Sequence, residues 1–172
     1  MKYFAYGSNM LAARILYRCP GTKEIGRASL AGYMLRFDKR GTDGSAKCAI
    51  HSTSNPHDIV RGVLFEVPQA QVSRLDAAEG EGTDYDRRPV RVETENGEVV
   101  PAEAYFAKES KIDAGATPYD WYSDLVVAGA LTHELPEAYV AALRNVQAKP
   151  EPDLKRPARL QALKQVGKLD ER

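Results

Sequence analysis

The chain is poor in the residues that build metal centres and covalent staples. Its 172 residues include two cysteines, three histidines and one tryptophan. Cys19 and Cys48 form no Cys-x-x-Cys pair, and His51, His57 and His133 show no zinc spacing, so no metal site is expected. Reduced thiols are the default for so few cysteines, though the sequence leaves a disulfide between them open. Net charge is missing too. The 24 basic and 24 acidic residues balance, so no global field favours nucleic acid. No apolar run is long enough to cross a bilayer. Met1-Lys2 leads into a polar-interrupted run rather than a secretory leader, and a cytoplasmic location is expected. The glycine near the start is followed by no Gly-Lys-Ser/Thr and belongs to no dinucleotide fingerprint. Ser8 lacks the flanks of a nucleophile elbow.

What is present suffices for a core of ordinary size, with 43% hydrophobic residues. Residues 2–6 read as a short buried strand, and Met10 to Tyr17 as a helix capped by Asn9 and ended before Pro20-Gly21. Strand-like runs follow over Ala28–Asp38, Ala46–Ser52 and Ile59–Val67, separated by Gly and Asn-Pro turns. Pro68 opens a helix that Gly80 closes, the glycine serving as a left-handed cap. Residues 86–94 and 99–107 flank Asn96-Gly97, the strongest hairpin signal in the chain. Thr117-Pro118 starts a helix to about Ala130, and Leu135-Pro136 another to about Val146. A basic extension occupies 148–172, with Leu160, Leu163 and Val166 at helical spacing; the preceding 1–147 read as the main domain. Irregular alternation of strands and helices favours an α+β architecture, a small mixed, largely antiparallel β-barrel with flanking helices.

Two segments carry candidate chemistry. In Tyr6-Gly7-Ser8-Asn9-Met10 a strand runs into a tight turn and then a helix, an arrangement that aims free backbone N–H groups at one point. Gly7 permits close backbone approach and an unusual φ. In Leu75-Asp-Ala-Ala-Glu79-Gly80 a carboxylate sits at a helix end beside apolar turns. Partial desolvation there would suit a general base and acid, although composition alone would leave Glu79 solvated in an acidic patch with Glu81, Asp84 and Asp86. Tyr85 could bind or position a carboxylate, and Tyr119 and Tyr122 with Trp121 could line a pocket, with a strand aromatic and core or rim packing the plainer expectations. Arg36, Arg87 and Arg88 are candidate carboxylate partners, with a surface role the plainer expectation. Cys48 and His51 point to opposite faces of an extended strand, which argues against a nucleophilic pair.

Taken in order and spacing, Tyr6-Gly7-Ser8-Asn9, Gly62-Val-Leu-Phe-Glu-Val67, Leu75-Asp76-x-x-Glu79-Gly80 with Tyr85, and Tyr122 through Leu135-Pro136-Glu-Ala-Tyr139 resemble the gamma-glutamylcyclotransferase-like superfamily. The resemblance implies a barrel with one cavity, floored by the Tyr6–Asn9 loop. It implies that Glu79 is the general base and acid, with Glu81 a nearby decoy. Tyr6, Gly7, Ser8, Asn9, Met10, Tyr85 and Tyr122 are the implied substrate-binding residues. The implied reaction closes a γ-glutamyl amino acid, peptide or amine to 5-oxoproline and frees the amine, with no metal or other cofactor. Its partner is that small substrate, not nucleic acid or membrane. Residues 108–116 match poorly, and the stretch between Gly80 and Tyr85 is acidic, which bears on which substrate fits. The alternatives are a non-catalytic ligand-binding module that keeps the cavity, and an interaction domain built on the basic tail.

Overall fold

The computed structural model describes residues 1–167; the last five residues of the expected basic extension lie outside them. Seven strands form, β1 (Lys2–Ala5), β2 (Lys23–Ala31), β3 (Tyr33–Arg40), β4 (Ala46–Ser52), β5 (Ile59–Glu66), β6 (Tyr85–Thr94) and β7 (Val99–Ala107). Five α-helices accompany them, α1 (Ala12–Arg18), α2 (Val72–Glu79), α3 (Asp120–Thr132), α4 (Glu137–Arg144) and α5 (Pro157–Gln165). Five strands close a barrel in the order β1-β5-β2-β6-β7, while β3 and β4 form a separate ribbon. Every barrel pairing is antiparallel except the β1–β7 seam, where Tyr3 faces Glu103 in parallel register. The expected α+β barrel with flanking helices is therefore the observed fold. No helix among the described residues is long and apolar enough to cross a membrane.

The local chemistry explains most boundaries. The β6–β7 hairpin pairs from Tyr85↔Ala107 to Glu93↔Val99, and Gly97 takes the positive φ its turn demands. Strand β5 lies between β1 and β2, and Leu64 is as buried as Val63 and Phe65, so both faces of the strand are covered. The run Ala28–Asp38 is not one strand. It breaks at Gly32, whose φ of 79° turns the chain out of the barrel and into the ribbon. Two helix starts also differ from expectation. Ser8–Met10 forms a short 3-10 turn, and α1 begins at Ala12 with extended Leu11 ahead of it, so Asn9 caps nothing. Helix α3 begins at Asp120, beyond Thr117.

Helix α3 buries Trp121, Tyr122, Leu125, Val126, Gly129 and Ala130. These recur at i, i+1, i+4, i+5, i+8 and i+9, a single stripe on a helix of 3.6 residues per turn. The stripe presses on the turn after β1. A Cβ on Gly129 would lie 2.7 Å from the Met10 Cβ and 2.8 Å from the Leu11 nitrogen. Only glycine allows this approach, and the approach fixes where the Tyr6–Asn9 loop sits.

The chain after α4 returns to the N-terminal end of α3. The Lys149 N–H donates to the Pro118 carbonyl and the Asp120 N–H to the Lys149 carbonyl, both at 2.9 Å. Buried Glu151 accepts from Arg156 at 2.7 Å and from the Asp153 N–H at 3.0 Å. Helix α5 then packs on α3 and α1, burying Ala162 and part of Val166 and leaving Leu160 largely exposed.

Two measurements test these packing claims. Gly129→Ala is expected to lower stability by about 1–3 kcal/mol, an overpacking cost read by urea denaturation. For Glu151, burial raises the carboxyl pKa, but the Asp153 N–H and Arg156 more than offset it and hold the group below its usual range. A depressed folded pKa contributes stability above the unfolded value and loses it as pH falls through the folded one. The hydrogen-exchange protection factors of residues 157–165, corrected for the intrinsic exchange rate at each pH, are thus expected to fall below about pH 4. Glu151→Gln is expected to remove that pH dependence.

Candidate active site

Helix α2 ends at Glu79 because Gly80 adopts the left-handed conformation, φ 69°, and its N–H returns to Ala77. That stop aims Glu79 at the loop after β1. Glu79 Oε1 accepts hydrogen bonds from Asn9 Nδ2 at 2.8 Å and Arg18 Nη1 at 2.7 Å. Arg18 also donates to Asn9 Oδ1 at 3.0 Å, and Asn9 Nδ2 reaches the Tyr3 hydroxyl at 3.1 Å. The side chain expected to cap a helix is thus drawn to a carboxylate instead. Glu79 Oε2 accepts no hydrogen bond from the described residues.

Two adjoining hollows meet at this carboxylate. The inner cleft, about 30 Å³, is lined by Tyr3, Tyr6, Gly7, Ser8, Asn9, Cys48, Glu79, Tyr85, Tyr105 and Tyr122. It has room for about one water molecule. The outer chamber, about 300 Å³, shares Ser8, Glu79, Tyr85 and Tyr122 with the cleft and adds charged residues from α1 and the β3–β4 ribbon. A molecule larger than water fits only the chamber and meets the cleft at the shared wall.

The tyrosines brace that wall. Tyr85 donates to the Cys48 carbonyl at 2.8 Å, and the Cys48 N–H donates to the Tyr122 hydroxyl at 3.0 Å. Tyr6 donates to the Tyr105 carbonyl, and Tyr105 to Asp76 Oδ1 at 2.7 Å. Desolvation raises the pKa of all these phenols, so they stay protonated at neutral pH. Gly7 has a φ of −116°, so the left-handed region is not why glycine stands there. An added Cβ would lie 3.1 Å from the Cys48 Cβ and 3.5 Å from the Tyr122 hydroxyl. Close approach is the reason. The Met10 N–H is bonded to the Gly7 carbonyl at 3.0 Å, while those of Gly7, Ser8 and Asn9 find no acceptor among the described residues.

The structure thus gathers Tyr6, Gly7, Ser8, Asn9, Glu79, Tyr85 and Tyr122 around one cleft. Met10 is not among its lining residues; its side chain is fully buried against α3. Glu81 is exposed and accepts from the Arg87 N–H at 2.6 Å. Arg87 holds Asp76 at 2.9 Å, Arg88 pairs with Asp86, and Arg36 is exposed near Met34, so none of the three lines either hollow. His51 pairs with Asp38 at 3.0 Å and makes no contact with Cys48. Tyr3, Tyr105, Cys48 and Arg18 are additions. The signal for Arg18 was its place one helical turn after Arg14, on the short helix that follows the loop.

Both cysteines are free and buried. Burial pushes the Cys48 thiol up to about 12, outweighing its Tyr122 hydrogen bond, and burial raises Cys19 as well. The thiolate is the reactive form. A disulfide-exchange reagent near pH 8 is therefore expected to react negligibly with the native protein and to titrate two thiols after denaturation.

Comparison with known proteins supplies the lineage. The model of the family described as gamma-glutamyl cyclotransferase, AIG2-like, matches residues 3–123. The gamma-glutamylcyclotransferase of Homo sapiens is 28% identical over 151 residues, covering 84% of this chain and 78% of that protein. That of Mus musculus is 28% identical over 153 residues with the same coverage. The crystal structure of uncharacterized protein loc79017 from Homo sapiens superposes with a TM-score of 0.83 at 25% identity, covering 95% of this chain and 97% of that one. A solved gamma-glutamyl cyclotransferase gives 0.84 at 24% identity, over 95% and 98% of the two chains, and so shares the fold. With cleft, loop and family model in agreement, the chain belongs to the gamma-glutamyl cyclotransferase, AIG2-like family.

Proposed function

We propose that this protein is an enzyme that cyclises a small γ-glutamyl compound to 5-oxoproline and releases the free amine, with Glu79 as general base and then general acid. The observation that carries this reading is the state of one carboxylate. Glu79 has one oxygen locked by Asn9 and Arg18 and the other free of donors, at the wall shared by cleft and chamber.

The chemistry follows from the substrate's own groups. A γ-glutamyl amide carries its nucleophile, the α-amino group, which is protonated at neutral pH. Glu79 Oε2 takes a proton from that ammonium. The freed amine attacks the γ-carbonyl carbon, and a C–N bond forms. The resulting oxyanion is stabilised by the unpaired loop N–H groups of Gly7, Ser8 and Asn9. Glu79 then delivers a proton to the departing nitrogen, and the original amide C–N bond breaks. Two protons in all pass from the attacking to the leaving nitrogen, so the carboxylate returns to its starting state. Because both reacting groups belong to one molecule, holding the chain folded supplies much of the acceleration. The protonated tyrosines and the tight Gly7–Cys48 contact keep the wall fixed while this happens.

A binding module that kept the hollow would also carry the loop and the tyrosines. In such a module the free Glu79 oxygen would only pair with the α-ammonium, so formation of 5-oxoproline is what separates the two readings.

The test is direct. The protein is incubated with a panel of γ-glutamyl amino acids, peptides and amines, and 5-oxoproline is measured by mass spectrometry. Glu79→Gln is expected to lower kcat by about 10²–10⁴-fold, the range for general acid–base catalysis, with an unchanged circular dichroism spectrum. Glu81→Gln is expected to leave turnover unaltered. Full activity in Glu79→Gln would overturn the assignment.

A further inference from the structure

The outer chamber has an uncompensated positive charge. Its walls carry four cations, Arg14, Arg18, Lys39 and Lys47, and three carboxylates, Asp43, Glu79 and Asp84. Three ion pairs use up the carboxylates. Arg18 holds Glu79 at 2.7 Å, Lys39 holds Asp84 at 3.0 Å and Lys47 holds Asp43 at 2.9 Å. Arg14 is left over and forms no ion pair among the described residues. Its one hydrogen bond is long, Nη1 to Gln165 Oε1 at 3.4 Å. Its Nε is buried with no partner, and so is Nε2 of the same Gln165. An inaccessible N–H donor without an acceptor costs about 1–3 kcal/mol, and two occur side by side here.

We propose that Arg14, positioned by Gln165 of the C-terminal helix, anchors a substrate carboxylate in the outer chamber. That the bound molecule is a γ-glutamyl compound rests on the function proposed above; that it carries a carboxylate rests on the charge count. A guanidinium suits this task because its planar fork matches a carboxylate and its charge persists at neutral pH. Desolvation, and after it the Arg18 charge, lower the Arg14 pKa, and an arriving anion would reverse that strain. Arg18 lies one turn away and is committed to Glu79, so the anchor on α1 and the base at the end of α2 line the same chamber and are linked through Arg18. The anchor would thus seat the substrate at a set distance from Glu79 Oε2. Helix α5 closes the chamber's rim at Ala158 and supplies Gln165, which ties the C-terminal segment to substrate binding.

Two sources can supply the carboxylate: the α-carboxylate present in every γ-glutamyl compound, or one on the departing amine. The full chain is assayed with a γ-glutamyl amino acid and with the γ-glutamyl alkylamine of matching carbon skeleton. Arg14→Met is expected to raise KM by about 10–100-fold with kcat nearly unchanged, the worth of one charge-assisted hydrogen bond. Arg14→Lys is expected to recover part of the loss. A rise on both substrates assigns the α-carboxylate, and a rise on the amino-acid substrate alone assigns the departing group. Gln165→Glu separates an anchor from a merely structural arginine. It gives Arg14 a permanent carboxylate, so it is expected to raise the melting temperature and also to raise KM. If KM stays unchanged in both Arg14→Met and Gln165→Glu, the anchor is overturned. Binding of 5-oxoproline and of glutamate, followed by Trp121 fluorescence, keeps the two proposals apart. Absence of turnover in the unaltered protein, with ligand binding that Arg14→Met abolishes, would sink the cyclisation reading and leave the anchor standing. Turnover with no dependence on Arg14 would do the reverse.

Discussion

A single carboxylate oxygen holds three parts of the molecule in register. Oε1 of Glu79 joins the end of α2 to the loop after β1 through Asn9, and to the end of α1 through Arg18. Hydrogen bonds to charged groups contribute about 1.5–3 kcal/mol each, so this junction is a substantial constraint on where the cleft walls can stand. It works only because Gly80 ends α2 at that residue, and because Asn9 makes no cap for α1. Asp76, three residues earlier on the same helix, is held by Arg87 and Tyr105 of the β6–β7 hairpin. Helix α2 is therefore clamped to the barrel on one side and to the loop on the other. One end of a short helix defines both the geometry and the charge of the cleft.

Much of this was legible in the sequence because the signals are local. Asn96-Gly97 demands a tight hairpin, Gly80 a helix stop, and the strand-turn-helix pattern at Tyr6–Asn9 a loop with free amides. The place of Glu79 at a helix end is local too, but its choice over Glu81, Asp84 and Asp86 rests on the family resemblance, since composition alone leaves it solvated. What escaped was set by distant packing. Gly32 reads as an unremarkable residue in a strand run until Asp58 and Thr53 arrive to satisfy its backbone on the far side of a turn. Asn9 has a good cap's chemistry, and only the approach of Glu79 from seventy positions away decides otherwise. Tyr3, Tyr105 and Cys48 come together only once the barrel closes and the ribbon folds over it.

The division into a narrow cleft and a wider chamber separates two tasks. The cleft wall is made of aromatic rings whose hydroxyls are tied to main chain or to the Asn9 and Asp76 side chains, so it is stiff and enclosed. The chamber beside it holds paired charges and one unpaired cation, with Lys47 stacked over Trp121 and Tyr122 at 4.9 and 4.8 Å. A low-dielectric wall strengthens every electrostatic interaction at its edge. Glu79 lies on that edge, where the proposed proton transfer would be sheltered yet a polar molecule can arrive.

The contact between Gly129 and the backbone of Met10 and Leu11 has a consequence for redesign. With no space between α3 and the loop, the inner face of the cleft cannot be reshaped by moving main chain. Altered selectivity must come from side chains on the chamber side, where α5 and the ribbon border open volume. Libraries that vary residues around Ala158 and Lys47 would explore new ligands without disturbing the catalytic wall, whereas randomising the neighbourhood of Gly129 would mostly yield molecules that no longer assemble it.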